Sequence, residues 1–222
     1  MDETWNRYTT AGIRGERRPT DRVELGPNAE PGLDRKLLGD VDGLRILELG
    51  TGAGHSAIAL ARNGAKVVAC DPDAEQITRA RANVEAAEVH VELHNADHAD
   101  LAFLHADVFD AVVSVHALAA VDDLARVFRQ VHRVLKADRP LLMSFPHPAA
   151  LMVETDNPEQ ITSAYGDGGT LGVGHNLTHR RSISDIFTKL TRSNYRVDQL
   201  LEPTTDGNHP ASLIVRARKL GT

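Results

Sequence analysis

The stretch Ile46–Gly54, Ile-Leu-Glu-Leu-Gly-Thr-Gly-Ala-Gly, constrains this chain more than any other. Apolar residues run up to an acid, and three glycines follow at alternate positions. Ser56–Gly64 then continues with helical character. A strand that feeds a helix through glycines is the opening unit of an α/β sheet, where ligands lie at the carboxyl ends of strands. Glycine at such a turn permits positive φ and lets a ligand approach the backbone closely.

The remainder of the chain extends that unit. Leu44–Leu49, Lys66–Cys70, Val89–Leu93, Phe109–Val115 and Pro140–Phe145 read as buried strands. Asn63-Gly64 is a stop for the first helix, and Pro72 is expected to open the second at its first turn. Leu124, Val127, Phe128, Val131 and Leu135 keep helical spacing, the cleanest amphipathic pattern present. Strands alternating with helices predict a parallel sheet covered on both faces. The end of the chain differs. Tyr195–Pro203 and Ala211–Arg218 are strand-like with only a turn-rich linker between them, so an antiparallel hairpin is expected. A helix over about Ser184–Ser193 precedes it, capped by Ser182 or Ser184. Residues 1–43 are polar and punctuated by Gly and Pro, and predict an irregular cap or lid with a short helix near Pro31–Leu38. Residues 146–181 are the least regular part and predict an insertion that walls a pocket.

At the glycine turn, Gly50, Gly52 and Gly54 are expected to line the site. Asp71 ends the second strand and can accept both hydroxyls of a ribose, which points to a nucleoside. A dinucleotide fingerprint would need glycine where His55 stands. Glu48 lies two residues before the first glycine, and its carboxylate suits an ammonium or sulfonium better than a pyrophosphate. The charge pattern therefore favours S-adenosylmethionine.

Ile46–Gly54, Asp71 in Ala-Cys-Asp-Pro-Asp, His94–Leu101, Phe109–Leu118 and Val131–Ser144 together resemble the class I S-adenosylmethionine-dependent methyltransferases, over roughly residues 44–145. The resemblance implies a Rossmann-like α/β fold: a seven-stranded, mostly parallel sheet of order 3-2-1-4-5-7-6, the last strand antiparallel, with helices on both faces. It divides the chain into a cap over 1–43 and a methyltransferase domain over 44–222. It implies that Glu48, Gly50, Thr51 and Gly52 border the methionine moiety and that Pro72 packs near the adenine. Asp97 would accept from the adenine amino group, the His98 backbone would meet the ring, and Ser114 would line the methionine side. Lys136–Arg139 departs from the family's frequent Pro-Gly-Gly turn, on the side away from the cofactor. A looser likeness to bacterial small-molecule methyltransferases lies in Glu24–Pro27, in His147-Pro148, and in Thr178–Leu190 with Glu202-Pro203. It implies methyl transfer to an O, N or C nucleophile of a small organic molecule, in specialised metabolism, with S-adenosylhomocysteine as product.

Methyl transfer is a direct displacement, and orientation alone supplies much of its acceleration. A base matters more for a hydroxyl or an indole-like carbon. His116, just past the fourth strand, and His147, after the fifth, are the candidate bases. Tyr8, His116, His147, Tyr165, His175 and His179 are the candidate acceptor contacts, and Trp5 and Arg7 could fold over the cofactor with Tyr8. His90, His94 and His98 are spaced by four, as are His175 and His179, but no glutamate completes a zinc motif and no metal is expected.

Composition limits the other readings. The chain has 31 acidic residues against 25 lysines and arginines, a formal charge of −6, which argues against nucleic-acid or anionic-membrane partners. Ser114–Ala117 at the end of the fourth strand also lacks the Asn-Pro-Pro-Tyr character of amino-group methylases of nucleic acids. An NAD(P) dehydrogenase is disfavoured by His55 and by the lack of a Tyr-x-x-x-Lys relay. A non-catalytic S-adenosylmethionine binder would keep the same acids and stays open, as does a nucleic-acid methyltransferase. The single cysteine, Cys70, excludes an internal disulfide and reads as a buried thiol. No run approaches about 18 apolar residues, and the N-terminal residues are polar, so a cytoplasmic protein is expected.

Overall fold

The structure, a computed structural model, describes residues 18–153, 160–172, 177–204 and 209–221. After a short helix α1 (Leu33–Leu38), strands and helices alternate: β1 (Arg45–Leu49), α2 (His55–Arg62), β2 (Lys66–Asp71), α3 (Ala74–Ala86), β3 (Val91–Asn95), β4 (Ala111–Val115), α4 (Leu124–Val134) and β5 (Pro140–Pro146). Two short strands, β6 (Thr170–Leu171) and β7 (Thr178–His179), precede α5 (Ile183–Arg192), β8 (Tyr195–Leu201) and β9 (Ser212–Lys219).

Seven strands form one sheet in the order β3-β2-β1-β4-β5-β9-β8. The first five are parallel, and β9 runs antiparallel between β5 and β8. This is the expected Rossmann-like order, with β8 and β9 in the places of strands six and seven. The sequence reading did not contain β6 and β7, which pair as a separate two-stranded sheet.

The central strands read as continuous apolar runs because both of their faces are covered. On one face Leu47, Leu49 and Val112 pack with Phe128 and Val131 of α4 and Leu190 of α5. On the other, Ile46, Val67 and Val113 pack with Ile58 and Leu60 of α2 and Leu37 of α1. The strongest amphipathic pattern is fully realised: Leu124, Val127, Phe128 and Val131 are all at 0% exposure.

Local chemistry moves several boundaries. Pro72 is not the first helical residue: Asp73 caps α3, its side chain accepting the Glu75 N–H at 2.8 Å, and the helix starts at Ala74. The cap's hydrogen bond outweighs proline's preset φ in fixing the start. β3 starts two residues later than expected. Glu88 takes φ 55°, and the Val89 N–H returns to the Val84 carbonyl at 3.4 Å, so the exit from α3 consumes Val89 and His90. Ser182 caps α5 through the Asp185 N–H at 3.1 Å.

Two segments meet at the carboxyl edge of the sheet. Arg181, buried, donates to the carbonyls of Ala119, Val121 and Asp122. It thereby clips the β6–β7 hairpin to the 3-10 turn Ala117–Ala120 that follows β4. Arg180 grips Asp167 through Nε and Nη2, each at 2.9 Å, and closes the hairpin's base. From the other side, residues 18–43 dock through buried Val23 and Leu25. The Val23 N–H donates to Asp34 Oδ2 at 2.8 Å, and Ser212 Oγ donates to the Pro27 carbonyl at 3.1 Å.

Candidate cofactor and acceptor site

The end of β1 is pinned to the end of β2, because the N–H groups of Gly50 and Thr51 both donate to the Cys70 carbonyl, at 2.8 and 3.2 Å. Gly50 has φ 78°, and a Cβ there would lie 2.0 Å from Ala117 Cβ, so the turn and the segment after β4 can touch only through glycine. Gly52 differs: its φ is 51°, and none of the described residues lies within 4 Å of where its Cβ would be. That open place on the turn is where a ligand can meet bare backbone. Gly54 caps α2 where it packs on Ala80.

Three acids stand around this turn. Glu48 is 2% exposed, and Thr51 Oγ1 donates to its Oε2 at 2.6 Å. Burial pushes its carboxyl up to about 7, against the Thr51 hydrogen bond and the charge of Arg18. Asp71 accepts the Gly52 N–H on Oδ2 at 2.9 Å and the Asp73 N–H on Oδ1 at 3.0 Å, which aims both oxygens along the rim. Asp97, on the exposed turn after β3, accepts the Ala99 N–H on Oδ1 at 2.7 Å. All three act on Cys70, whose thiol is pushed up to about 12, first by burial and then by Asp71 and Glu48. Pro72 is exposed beside Asp71.

His98 departs from its expected part. The sequence reading assigned its backbone, but its ring is also in the site. Nε2 lies 3.4 Å from the Cβ place of Gly50. It is buried with no hydrogen-bond partner among the described residues. Burial lowers its pKa while Asp71 and Asp97 pull the other way.

Ser114 is corrected. Its side chain is fully buried and Oγ donates to the Leu49 carbonyl at 2.9 Å, so the hydroxyl holds β4 to β1 and does not line the cleft. His116 opens the 3-10 turn with φ 60°, and its N–H donates to the Ser144 carbonyl at 3.0 Å. Its ring is buried, and burial followed by the Arg18 charge holds its pKa down to about 3. A ring with so low a proton affinity is a poor base near neutrality. His147 is 4% exposed, and both its ring nitrogens are engaged. Nδ1 accepts the Ala149 N–H at 3.1 Å and Nε2 meets Glu202 Oε1 at 2.7 Å. No lone pair of that ring is left for an acceptor, which corrects its assignment as a base.

Tyr165 and His179 flank the clipped hairpin. The Tyr165 hydroxyl accepts the Ile183 N–H at 3.3 Å, and His179 Nδ1 lies 3.9 Å from Asp122 Oδ1. Tyr8, His175, Trp5 and Arg7 lie outside the described residues. The sequence reading missed two members. Arg18 had no part in that reading of the site, yet its charge acts on Glu48, His55 and His116. Glu202 appeared there only as part of a family likeness. Among the described residues, no cluster of three or more His, Cys, Asp or Glu side chains could hold a metal ion, and no helix is long and apolar enough to cross a membrane.

A sheet of this order with acids after three successive strands defines the Rossmann-like methyltransferase fold. Comparison with known proteins carries this further. Residues 46–138 match the family profile described as "Methyltransferase domain". The chain is 32% identical over 124 residues to the ubiquinone biosynthesis O-methyltransferase of Xanthomonas oryzae pv. oryzae, covering 55% of this chain and 52% of that one. It is 35% identical over 119 residues to the demethylmenaquinone methyltransferase of Clavibacter sepedonicus, covering 53% and 48%. It thus spans about half the length of the curated relatives it matches. The crystal structure of an S-adenosylmethionine-dependent methyltransferase from Mesorhizobium loti superimposes with a TM-score of 0.67 at 25% identity, covering 83% of this chain and 95% of that one. Together the domain match and the superposition support a class I S-adenosylmethionine-dependent methyltransferase, with S-adenosylmethionine as the cofactor that these likenesses imply.

The residues present fit that cofactor. Gly52 offers open backbone, His98 offers an unsatisfied nitrogen, and Glu48 offers a carboxyl that an ammonium would ionise.

Proposed function

We propose that this chain transfers the methyl group of S-adenosylmethionine to an oxygen, nitrogen or carbon nucleophile of a small organic molecule. The observation that carries the reading is the convergence of Glu48, Asp71 and Asp97 on a glycine turn that leaves Gly52 open. When bound, the cofactor supplies an electrophilic methyl carbon on a sulfonium sulfur. In this reading Glu48 pairs with the amino group of the methionine moiety, beside the backbone of Gly50, Thr51 and Gly52. Asp71 accepts from the ribose hydroxyls. Asp97 takes the adenine amino group on the oxygen that does not cap Ala99, with Pro72 and His98 against the ring. His116 serves as a buried wall rather than a base.

The acceptor pocket lies over the ends of β4 and β5. The cap that includes residues 18–43 bounds it on one side, and the insertion carrying Tyr165 and His179 bounds it on the other. The activities named for the two relatives above support a small acceptor, and the net charge of −6 supports the absence of a nucleic-acid partner. A reducing cytoplasm is the proposed compartment, in keeping with a lone buried thiol.

Calorimetric titration with S-adenosylhomocysteine, with NAD⁺ in parallel, tests the cofactor assignment. Saturable binding of S-adenosylhomocysteine alone is expected. Asp71→Ala should weaken it by about tenfold or more, the loss of roughly 1.4 kcal/mol or more of ribose contact. An unchanged affinity removes the ribose role, and preferential NAD⁺ binding overturns the reading. Binding without turnover on any nucleophile would leave a non-catalytic binder.

A further inference from the structure

The pair His147–Glu202 joins two ends of the sheet that are 55 residues apart in the chain. His147 follows β5 and Glu202 follows β8, and both strands run toward the same edge as β1 and β4. The His147 N–H donates to the Ala211 carbonyl at 3.0 Å. Ser212, paired with Pro146, lies with His116 against Gly26: a Cβ on Gly26 would sit 2.3 Å from Ser212 Oγ and 2.8 Å from His116 Nε2. One line of contacts therefore runs from the end of β4 to the His147–Glu202 pair.

The hydrogen bonds set the tautomer. A main-chain N–H can only donate, so the Ala149 N–H at 3.1 Å makes His147 Nδ1 the acceptor nitrogen. The ring proton then lies on Nε2 and is donated to Glu202 Oε1 at 2.7 Å. The buried imidazole thus holds a carboxylate by one oxygen. Glu202 itself is 45% exposed, and its Oε2 takes no hydrogen bond from the described residues. A buried ring that fixes one carboxylate oxygen and leaves the other without a described partner can position a proton-accepting carboxylate.

Resting on the reading of this chain as a methyltransferase, we propose that Glu202 is the proton acceptor for a hydroxyl-bearing acceptor, phenolic or alcoholic, and that His147 is its positioning residue. The acceptor's O–H proton passes to Glu202 Oε2 while an oxygen lone pair forms the new O–C bond. The electron pair of the breaking C–S bond stays on sulfur. A sulfonium and a carboxylate thereby become a thioether and a carboxylic acid. This narrows the reaction to O-methylation and moves the base from the histidine to the glutamate that it holds.

The test incubates the whole protein with S-adenosylmethionine and, separately, catechol, 4-hydroxybenzoate or phenethylamine, with the methylated products read by mass spectrometry. O-methylation of at least one of the first two is expected. Glu202→Gln should lower kcat by about 10²-fold or more, with KM and S-adenosylhomocysteine affinity within about threefold. Glu202→Asp should recover part of the rate. His147→Asn should lower kcat less than Glu202→Gln and leave cofactor affinity in place. A purely structural tie would lower thermal stability in these variants without this split between kcat and KM. Wild-type turnover that Glu202→Gln leaves intact overturns the role of Glu202 alone. Methylation of phenethylamine only overturns the hydroxyl assignment and keeps the methyltransferase reading. Bound S-adenosylhomocysteine with no product from any of the three overturns the proposal together with the transfer activity.

Discussion

Replacing Glu48 with Gln tests whether the cleft is built to bind a cation. Glu48 is buried at the end of β1, and burial raises its carboxyl from 4.5 to about 7. The folded chain therefore holds this proton more tightly than the unfolded chain does. The stability it contributes is fully present below about pH 4.5 and is lost as pH rises through about 7. At roughly 1.4 kcal/mol per pH unit, the loss is about 3 kcal/mol. Gln keeps an oxygen for the Thr51 hydroxyl and carries no charge. Glu48→Gln should thus abolish the slope and make the cofactor-free protein more stable than wild type at pH 8, by about 1–3 kcal/mol. For a chain of this length that is a rise in Tm of roughly 2–4 °C per kcal/mol. Binding should move the other way, with S-adenosylhomocysteine affinity falling by about tenfold or more, because an ammonium loses a buried carboxylate. A second readout follows. Near pH 6 the wild type should release a proton on binding S-adenosylhomocysteine, measured by calorimetry in two buffers of different ionisation heat, and Glu48→Gln should not. Wild-type stability that is flat from pH 5 to pH 8, or a variant less stable at pH 8, would refute the burial argument. Wild-type affinity in the variant would refute the ammonium pairing.

The glycine turn makes a paired prediction. Gly50→Ala drives a Cβ into Ala117 at 2.0 Å on top of a positive φ, so it should cost about 2–5 kcal/mol from strain and overpacking. Gly52→Ala meets only the positive φ and should cost about 1–2 kcal/mol. Gly52→Ala should nonetheless weaken S-adenosylhomocysteine binding, because its methyl enters the open place. Denaturant unfolding and calorimetry separate the two effects, and equal stability losses would refute the geometry. Cys70, with its thiol pushed up to about 12, should resist a disulfide reagent at pH 8 in the native protein and react at the rate of unfolding. Rapid native labelling would show that the strand end opens.

What could be read in the sequence divides along physical lines. Apolar period, caps and glycine turns are local, and they located five parallel strands, the amphipathic helix over 124–134 and the acids Glu48, Asp71 and Asp97 at strand ends. Errors in local chemistry were small: Asp73 displaced Pro72 at the start of a helix, and a left-handed Glu88 delayed β3 by two residues. Side-chain direction was not local. Ser114 was placed at the right strand end, but its hydroxyl turns to the Leu49 carbonyl, and His98 contributes a ring where only its backbone was expected. Long-range pairing was least legible. Arg18 acts by its charge on Glu48, His55 and His116, all far from it in sequence. Glu202 meets His147 only because β9 inserts between β5 and β8, which brings the end of β8 to the edge where β5 ends. No spacing rule joins residues 147 and 202, since the register of an antiparallel insertion is set by the sheet and not by the intervening sequence. The residue type was therefore readable at position 147, and its role was readable only from the partner that the topology supplies.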